Sequence, residues 1–194
     1  MLNKKVPDLP FSNLWIASRI APRNPDSSVV HLGILNSLRS WNFFEMPSSV
    51  SSASNVGGFG IDGGVSSLVG ASLAHKDKLC FGVIGDLAFF YDMNVLGNRH
   101  VNRNLRILLV NNGRGTEFKN YNHHTAHLGD RADEFIAAAG HFGNKSIKLV
   151  RNFVQDLGFE YLSAASKEEF EQSHERFLVP KPTDKPMLFE VFTD

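Results

Sequence analysis

Short apolar runs alternate with segments of helical periodicity along the whole chain, and this alternation strongly restricts the possible folds. Residues 79–84 and 105–110 are almost uninterrupted apolar runs, which are typical of strands buried on both faces. Buried strands separated by helices predict an α/β fold, a three-layer sandwich whose mostly parallel central sheet is covered by helices on both faces. The other predicted strands are residues 29–32, 159–162 and 187–192, and the predicted helices are residues 12–21, 61–75, 87–96, 132–139, 147–157 and 167–177.

Local signals refine this prediction. Ser12 is expected to cap the first helix, because a serine hydroxyl can accept a hydrogen bond from a free N–H of the first turn. The serine-rich residues 48–54 are predicted to form a loop. Residues 57–60 contain three glycines and predict a tight turn. We expect residues 1–10 to be an N-terminal tail and residues 11–194 to form one domain.

The composition argues against several classes of function. The 194 residues include 20 Lys and Arg and 20 Asp and Glu, so the chain lacks the basic excess expected of nucleic-acid or membrane-surface binding. The single cysteine, Cys80, rules out an intrachain disulfide and a cysteine-rich zinc site. No run approaches the roughly 18 apolar residues of a membrane span. We therefore expect a cytoplasmic protein with neither nucleic-acid nor membrane partners.

Polar side chains follow two of the predicted strands at the points where they end. Gly85-Asp86-Leu87 follows one strand, and Asn111-Asn112-Gly113 follows the next. If the two strands are neighbours, Asp86 and Asn112 emerge at the same edge of the sheet, where α/β proteins bind ligands. Carboxylate and amide oxygens are suitable ligands for Mg²⁺, which often shares its site with phosphate groups. A helix that begins at Leu87 would also direct free N–H groups toward a phosphate.

Each of these two motifs has a simpler interpretation as a turn. Gly-Asp and Asn-Asn-Gly are ordinary turn sequences, and either one alone would be weak evidence for a site. Together, 26 residues apart and each closing a buried strand, they favour a magnesium–diphosphate site.

This arrangement resembles the signature of the thiamine-diphosphate-dependent enzymes, Gly-Asp-Gly followed after a similar interval by Asn-Asn. Leu87 replaces the second glycine, as in the branch of the family that makes 2-succinyl-5-enolpyruvyl-6-hydroxy-3-cyclohexene-1-carboxylate in the menaquinone pathway. The segment Gly85-Asp86-Leu87-Ala88-Phe89-Phe90-Tyr91-Asp92-Met93-Asn94 closely resembles that branch. Gly60-Ile61-Asp62-Gly63 and Asn36-Ser37 do so as well, and the resemblance extends from about residue 11 to residue 192.

The resemblance implies the fold and cofactor domain of these enzymes, with thiamine diphosphate and Mg²⁺ as cofactors. Asp86, the side chain of Asn112 and the backbone oxygen of Arg114 would be the magnesium ligands. Ile61 would hold the cofactor in its bent form, although an ordinary core isoleucine is the alternative. The other residues expected at the cofactor are Ser37, Gly85, Leu87, Ala88 and Gly113. The bound cofactor would serve as an electron sink while a 2-oxo acid loses CO₂.

The menaquinone branch has two arginines that this chain lacks. Val56 and Trp41 occupy those positions here, although Arg39 lies close to Trp41 in the sequence. Because those arginines bind substrate carboxylates, we expect a different acceptor substrate. Glu117 also replaces an apolar residue near the reacting centre, which makes it a candidate catalytic residue.

Family members also contain a pyrimidine-binding domain, whose glutamate activates the cofactor, and 194 residues leave no room for it. We therefore expect a pyrimidine-binding domain or subunit as partner, a homo-oligomeric assembly, and no activity from this chain alone. A piece of a longer protein and one subunit of a split enzyme both remain open.

Three histidines, His123, His124 and His127, lie within five residues of one another after the metal motif. A zinc site is one interpretation, but a supporting fourth ligand is missing. His123 and His124 are candidates for proton transfer or carboxylate binding, and solvated loop residues are the alternative. Two other functions stay open at this point. One is a non-catalytic scaffold or oligomerisation relative, and the other is a different nucleotide-phosphate binder, for which the glycine turn lacks the Walker lysine.

Overall fold

The central sheet has six parallel strands in the computed structural model, which describes residues 7–58, 60–120, 122–135 and 145–193. Their order across the sheet is β2-β1-β3-β4-β6-β5. The strands are β1 (Val29–Leu32), β2 (Ser51–Ser54), β3 (Cys80–Gly85), β4 (Leu105–Asn111), β5 (Glu160–Ala164) and β6 (Met187–Phe192).

Helices cover both faces of this sheet, which confirms the predicted three-layer α/β sandwich. The helices are α1 (Asn13–Ile20), α2 (Asn36–Trp41), α3 (Gly64–Ala74), α4 (Asp86–Asp92), α5 (Leu149–Asp156) and α6 (Lys167–Phe177). Buried residues of α1, α2 and α6 pack against one face of the sheet, and those of α3, α4 and α5 pack against the other. The alternating side chains of β4 contribute to both hydrophobic clusters, because successive residues of a strand point to opposite faces.

Two local features show how the sequence specifies these elements. The Ser12 hydroxyl accepts a hydrogen bond from the N–H of Trp15 at 3.3 Å, which confirms the predicted cap of α1. Gly82 lies in β3 directly beneath α3, and a β-carbon at this position would overlap the side chain of Leu68. A larger residue here would force the Leu68 side chain to move, so glycine favours close packing of α3 on the sheet.

Some sequence predictions were wrong in detail. Residues 51–54, predicted as loop, form the edge strand β2, which pairs with β1 in parallel register. The helix predicted to run to residue 96 ends as α4 at Asp92 and continues as a 3₁₀ helix, Met93–Gly97. The helix predicted over residues 132–139 lies partly outside the described residues, and a 3₁₀ segment, Ala126–Glu134, covers its start. Among the described helices, none combines the length and the hydrophobicity needed to cross a lipid bilayer.

Candidate cofactor site

A cavity of about 800 Å³ opens at the carboxyl ends of β1, β3 and β4. The chain leaves β1 toward α2 on one face of the sheet and leaves β3 toward α4 on the other. A crevice forms where the connections diverge in this way, and such crevices are the usual ligand sites of open α/β sheets. Residues 33–37, 85–88 and 114–118 form much of the cavity wall.

Asp86 lines the cavity as the first residue of α4. It is 3% exposed, and its Oδ2 atom is buried without a hydrogen-bond partner. Burial raises the pKa of its carboxyl group to about 6, the backbone N–H groups of Leu87 and Gly113 oppose this rise, and the charge of Glu190 adds to it. A buried carboxylate oxygen without a donor is unfavourable unless a cation compensates it.

The turn after β4 places Asn112 and Arg114 at the same cavity. Gly113 has φ +69°, a left-handed conformation that favours glycine, and its N–H donates to Oδ1 of Asn111 at 3.1 Å. Oδ1 of Asn112 accepts a hydrogen bond from the N–H of Arg114 at 3.0 Å and retains a second lone pair. A carboxylate and an amide oxygen therefore lie in one cavity, and this donor set fits Mg²⁺.

Most of the predicted site residues line this cavity. Gly113 and His124 are not part of its wall, and Gly113 instead forms the turn that carries its neighbours. Within the described part of the chain, no three His, Cys, Asp or Glu side chains are grouped closely enough to hold a metal ion. The predicted residues that line the cavity are Ser37, Ile61, Gly85, Asp86, Leu87, Ala88, Asn112, Arg114, Glu117 and His123.

Glu117, a candidate catalytic residue, is held in an ion pair. Nη1 and Nη2 of Arg39 donate to its two carboxylate oxygens at 2.6 and 3.3 Å, and Asn120 Nδ2 donates to Oε2 at 2.9 Å. Asn36, also in α2, donates to the hydroxyl of Thr116 at 2.6 Å. Residues 116 and 117 are thus fixed to α2, and the charge of Glu117 is offset by Arg39.

His123 is the histidine of the loop that reaches the cavity wall. Its Nδ1 lies 2.8 Å from the hydroxyl of Thr125, and its ring packs edge-on against Phe118. Thr125 donates in turn to the backbone oxygen of Phe118 at 2.8 Å. These contacts fix the imidazole at the cavity, where it can contact a ligand.

Leu35 lines the cavity just before α2 with φ +65°, a conformation that costs a non-glycine residue roughly 1–3 kcal/mol. Because leucine carries no sequence signal for this conformation, it could not be predicted. Trp41 is 1% exposed in the hydrophobic core, so it cannot substitute for a substrate-binding arginine, whereas Val56 is 52% exposed.

Several curated proteins similar to this chain are synthases of one name. The chain is 35% identical over 192 residues to 2-succinyl-5-enolpyruvyl-6-hydroxy-3-cyclohexene-1-carboxylate synthase of Phocaeicola vulgatus, which covers 97% of this chain and 32% of that protein. It is 33% identical over 191 residues to the same-named synthase of Bacteroides fragilis. That match covers 97% of this chain and 32% of the synthase. The chain thus spans about a third of the length of the curated relatives it matches. No protein-family model matches it.

The fold has a counterpart among solved structures. The thiamine diphosphate-dependent 4-hydroxybenzoylformate decarboxylase of Rhodococcus jostii RHA1 matches 97% of this chain and 34% of its own chain, with a TM-score of 0.67 and 19% identity. The chain therefore has the fold of a domain of a thiamine-diphosphate-dependent enzyme. Its sequence is similar to that of the 2-succinyl-5-enolpyruvyl-6-hydroxy-3-cyclohexene-1-carboxylate synthases over 97% of the chain. This similarity confirms the resemblance inferred from the motifs around Asp86 and Asn112.

Proposed function

We propose that this chain is the domain that holds the diphosphate of thiamine diphosphate through Mg²⁺ in a 2-oxo-acid decarboxylase or carboligase. One observation carries the proposal: Oδ2 of Asp86 is buried without a partner in a cavity that Asn112 also lines. A divalent cation would compensate this carboxylate, and the phosphates of the cofactor would complete its oxygen ligands. No observation favours a scaffold role, which would leave the buried carboxylate unexplained.

The proposed role of each residue follows from its place in the cavity. Asp86, the amide oxygen of Asn112 and the backbone oxygen of Arg114 would bind Mg²⁺. Gly85 and Gly113 would let the backbone approach the metal closely, and Ile61 would contact the organic part of the cofactor. Thiamine diphosphate, when bound, supplies an electron sink for decarboxylation of a 2-oxo acid. The residues proposed along the diphosphate are Ser37, Leu87 and Ala88.

The substrate is proposed to be a 2-oxo acid, with an acceptor that differs from that of the menaquinone-pathway synthases. Arg114 and His123 bring cationic or protonatable groups to the cavity, which suits a carboxylate substrate. By resemblance to the synthases, Trp41 and Val56 would occupy the positions of two arginines that bind substrate carboxylates there. Normal turnover of 2-oxoglutarate with isochorismate, in an assembled enzyme, would contradict the proposed difference in acceptor.

A pyrimidine-binding domain or subunit is the proposed partner, within a cytoplasmic homo-oligomer such as a dimer. The chain corresponds to about a third of its relatives, so the remaining two thirds have no counterpart in these 194 residues. Tyr91 is 66% exposed at the cavity, which gives a partner an aromatic surface beside the proposed cofactor.

Calorimetric titration with thiamine diphosphate and Mg²⁺ tests the cofactor proposal. We expect binding that requires Mg²⁺ and that Asp86→Ala abolishes. Asp62→Ala is the matched control, because Asp62 is an exposed carboxylate of the same cavity and its loss should weaken binding less than about threefold. The titration is repeated with a pyrimidine-domain partner. No binding with or without that partner would exclude the proposal and favour a scaffold role.

A further inference from the structure

Glu190 is a fully buried acid in β6, between the apolar residues Phe189 and Val191. Placing a carboxyl group inside a sheet is costly unless both of its oxygens find hydrogen-bond donors. Its position in the sheet provides them, because β6 lies between β4 and β5. In the strand register, Glu190 is paired with Leu109 of β4 and with Ser163 of β5. Leu109 lies two residues before the end of β4.

Each carboxyl oxygen of Glu190 accepts one short hydrogen bond. Nδ2 of Asn111 donates to Oε1 at 2.7 Å, and the hydroxyl of Tyr161 donates to Oε2 at 2.7 Å. Burial raises the pKa of Glu190, and the two hydrogen bonds oppose that rise. Burial and the neighbouring Glu190 raise the pKa of Tyr161, so its hydroxyl remains a donor. Glu190 is therefore held from both sides.

The contact with Glu190 determines which way the Asn111 amide faces. A side-chain amide has one accepting and one donating end, and a carboxylate can only accept. With Nδ2 turned toward Glu190, Oδ1 of Asn111 faces the opposite way and accepts the N–H of Gly113 at 3.1 Å. If the amide were reversed, its NH₂ group would meet that N–H, and the turn at Gly113 would lose this support.

That turn carries two of the groups that we propose as magnesium ligands, Asn112 and the backbone of Arg114. We infer that Glu190 is a positioning residue for the magnesium site: through Asn111 it fixes the Gly113 turn in the conformation that presents these ligands beside Asp86. This inference deepens the proposed function and rests on it for the identity of the metal. Glu190 itself is proposed to touch neither metal nor substrate.

Two substitutions at position 190 separate this role from general support of the core. Glu190→Gln keeps the size and an accepting oxygen for Asn111, so it should bind Mn²⁺ with thiamine diphosphate within about threefold of the unaltered chain. Glu190→Leu removes the acceptor and should weaken Mn²⁺ binding about tenfold or more. Binding is measured by electron paramagnetic resonance of Mn²⁺. Leu188→Ala, at a buried apolar position of the same strand, is the control and should lower stability without changing the affinity.

Asn111→Ala provides a second test that does not depend on how Glu190→Leu folds. It should weaken Mn²⁺ binding as much as Glu190→Leu does, and the double variant should be no weaker than either single one, because both act through one contact. Unchanged Mn²⁺ affinity in Glu190→Leu or in Asn111→Ala would overturn the inference. Equal losses in Glu190→Gln and Glu190→Leu would also overturn it, because charge rather than the accepting oxygen would then matter.

Hydrogen exchange of the Gly113 amide separates failure of this inference from failure of the proposed function. The exchange is followed by nuclear magnetic resonance without cofactor, and Glu190→Leu should speed it about tenfold while Glu190→Gln should not. If the unaltered chain, with its partner present, binds no Mn²⁺ and thiamine diphosphate, the proposed function fails. In that case the exchange rate of the Gly113 amide still tests the positioning role of Glu190. An unchanged exchange rate in Glu190→Leu overturns that role.

Discussion

The carboxylate of Asp92 accepts two hydrogen bonds from Ser66, one from its backbone N–H and one from its hydroxyl, each 2.6 Å long. Asp92 is the last residue of α4, and Ser66 lies in the first turn of α3. A carboxylate at the C-terminus of its own helix is unfavourable, but at the N-terminus of another helix it is stabilising. The contact joins the helix that begins at Asp86 to the helix that follows Ile61.

Replacing Asp92 by alanine should therefore destabilise the fold. We expect a loss of about 2 kcal/mol in the free energy of unfolding, because two charge-assisted hydrogen bonds to the first turn of α3 disappear. Ser66→Ala removes one of the two bonds and should cost about 1 kcal/mol. Urea unfolding followed by circular dichroism measures both changes. Asp156→Ala, at the exposed end of α5, is the matched control and should change stability by less than about 0.5 kcal/mol.

The second prediction concerns the buried carboxyl group of Asp86. Its pKa in the folded chain is raised to about 6, so folding favours its protonated form, and the chain loses stability as the pH rises from the unfolded pKa toward 6. Asp86→Asn removes this loss. At pH 7 we expect the variant to be more stable than the unaltered chain by on the order of 2 kcal/mol when no metal is present.

Urea unfolding at several pH values from about 4 to about 7.5 isolates this contribution as the difference in stability between the two chains. Asp62→Asn, in the same cavity but exposed, should follow the unaltered chain. Adding Mg²⁺ and thiamine diphosphate should stabilise the unaltered chain and leave Asp86→Asn unaffected. Equal pH dependence of the Asp86→Asn and unaltered chains would show that the carboxylate is not penalised by burial.

Much of this fold could be predicted because its central strands are almost wholly apolar. β3, β4 and β6 have clear apolar sequences, and the strand ends at Asp86 and Asn112 indicated the site. The edge strand Ser51–Ser54 was missed because it is serine-rich and largely exposed, so only its pairing with β1 makes it a strand. A pattern of single residues carries no information about such long-range pairing.

The hydrogen bonds of Glu190 could not be predicted, for a related reason. The predicted strand 187–192 contains one acid, Glu190, between Phe189 and Val191, and an acid in such an apolar run indicates a buried polar contact. Its partners Asn111 and Tyr161 are remote in sequence, and only the strand order brings the three together. The conformation of Leu35 had no signal at all, because leucine rarely adopts a positive φ.

The third prediction separates the backbone of Arg114 from its side chain. If the backbone oxygen is the magnesium ligand, Arg114→Ala should bind Mg²⁺ and thiamine diphosphate within about threefold of the unaltered chain. The same variant should weaken binding of a carboxylate substrate, because Arg114 brings a guanidinium to the cavity. Calorimetry measures the affinity for Mg²⁺ and thiamine diphosphate. The KM for a 2-oxo acid, determined in the assembled enzyme, measures substrate binding. A large loss of cofactor affinity would contradict the backbone assignment.

The last prediction concerns Arg106, a fully buried arginine of β4 whose role is structural. Its guanidinium donates to the backbone oxygens of Phe177, Val179 and Lys181 at 2.5, 2.7 and 2.6 Å. It thereby fixes the segment after α6. Burial lowers the pKa of Arg106 to about 10, so the group remains charged at neutral pH.

Arg106→Met should cost about 3 kcal/mol in the free energy of unfolding, because three backbone oxygens lose their donor. Arg106→Lys should recover only part of this loss, since a single ammonium cannot match the planar fork of a guanidinium. Arg103→Met, at an exposed turn position, is the control and should have little effect. Because this segment lies away from the cavity wall, cofactor binding by folded Arg106→Lys should be unchanged. A weakened affinity in that variant would instead connect Arg106 to the site.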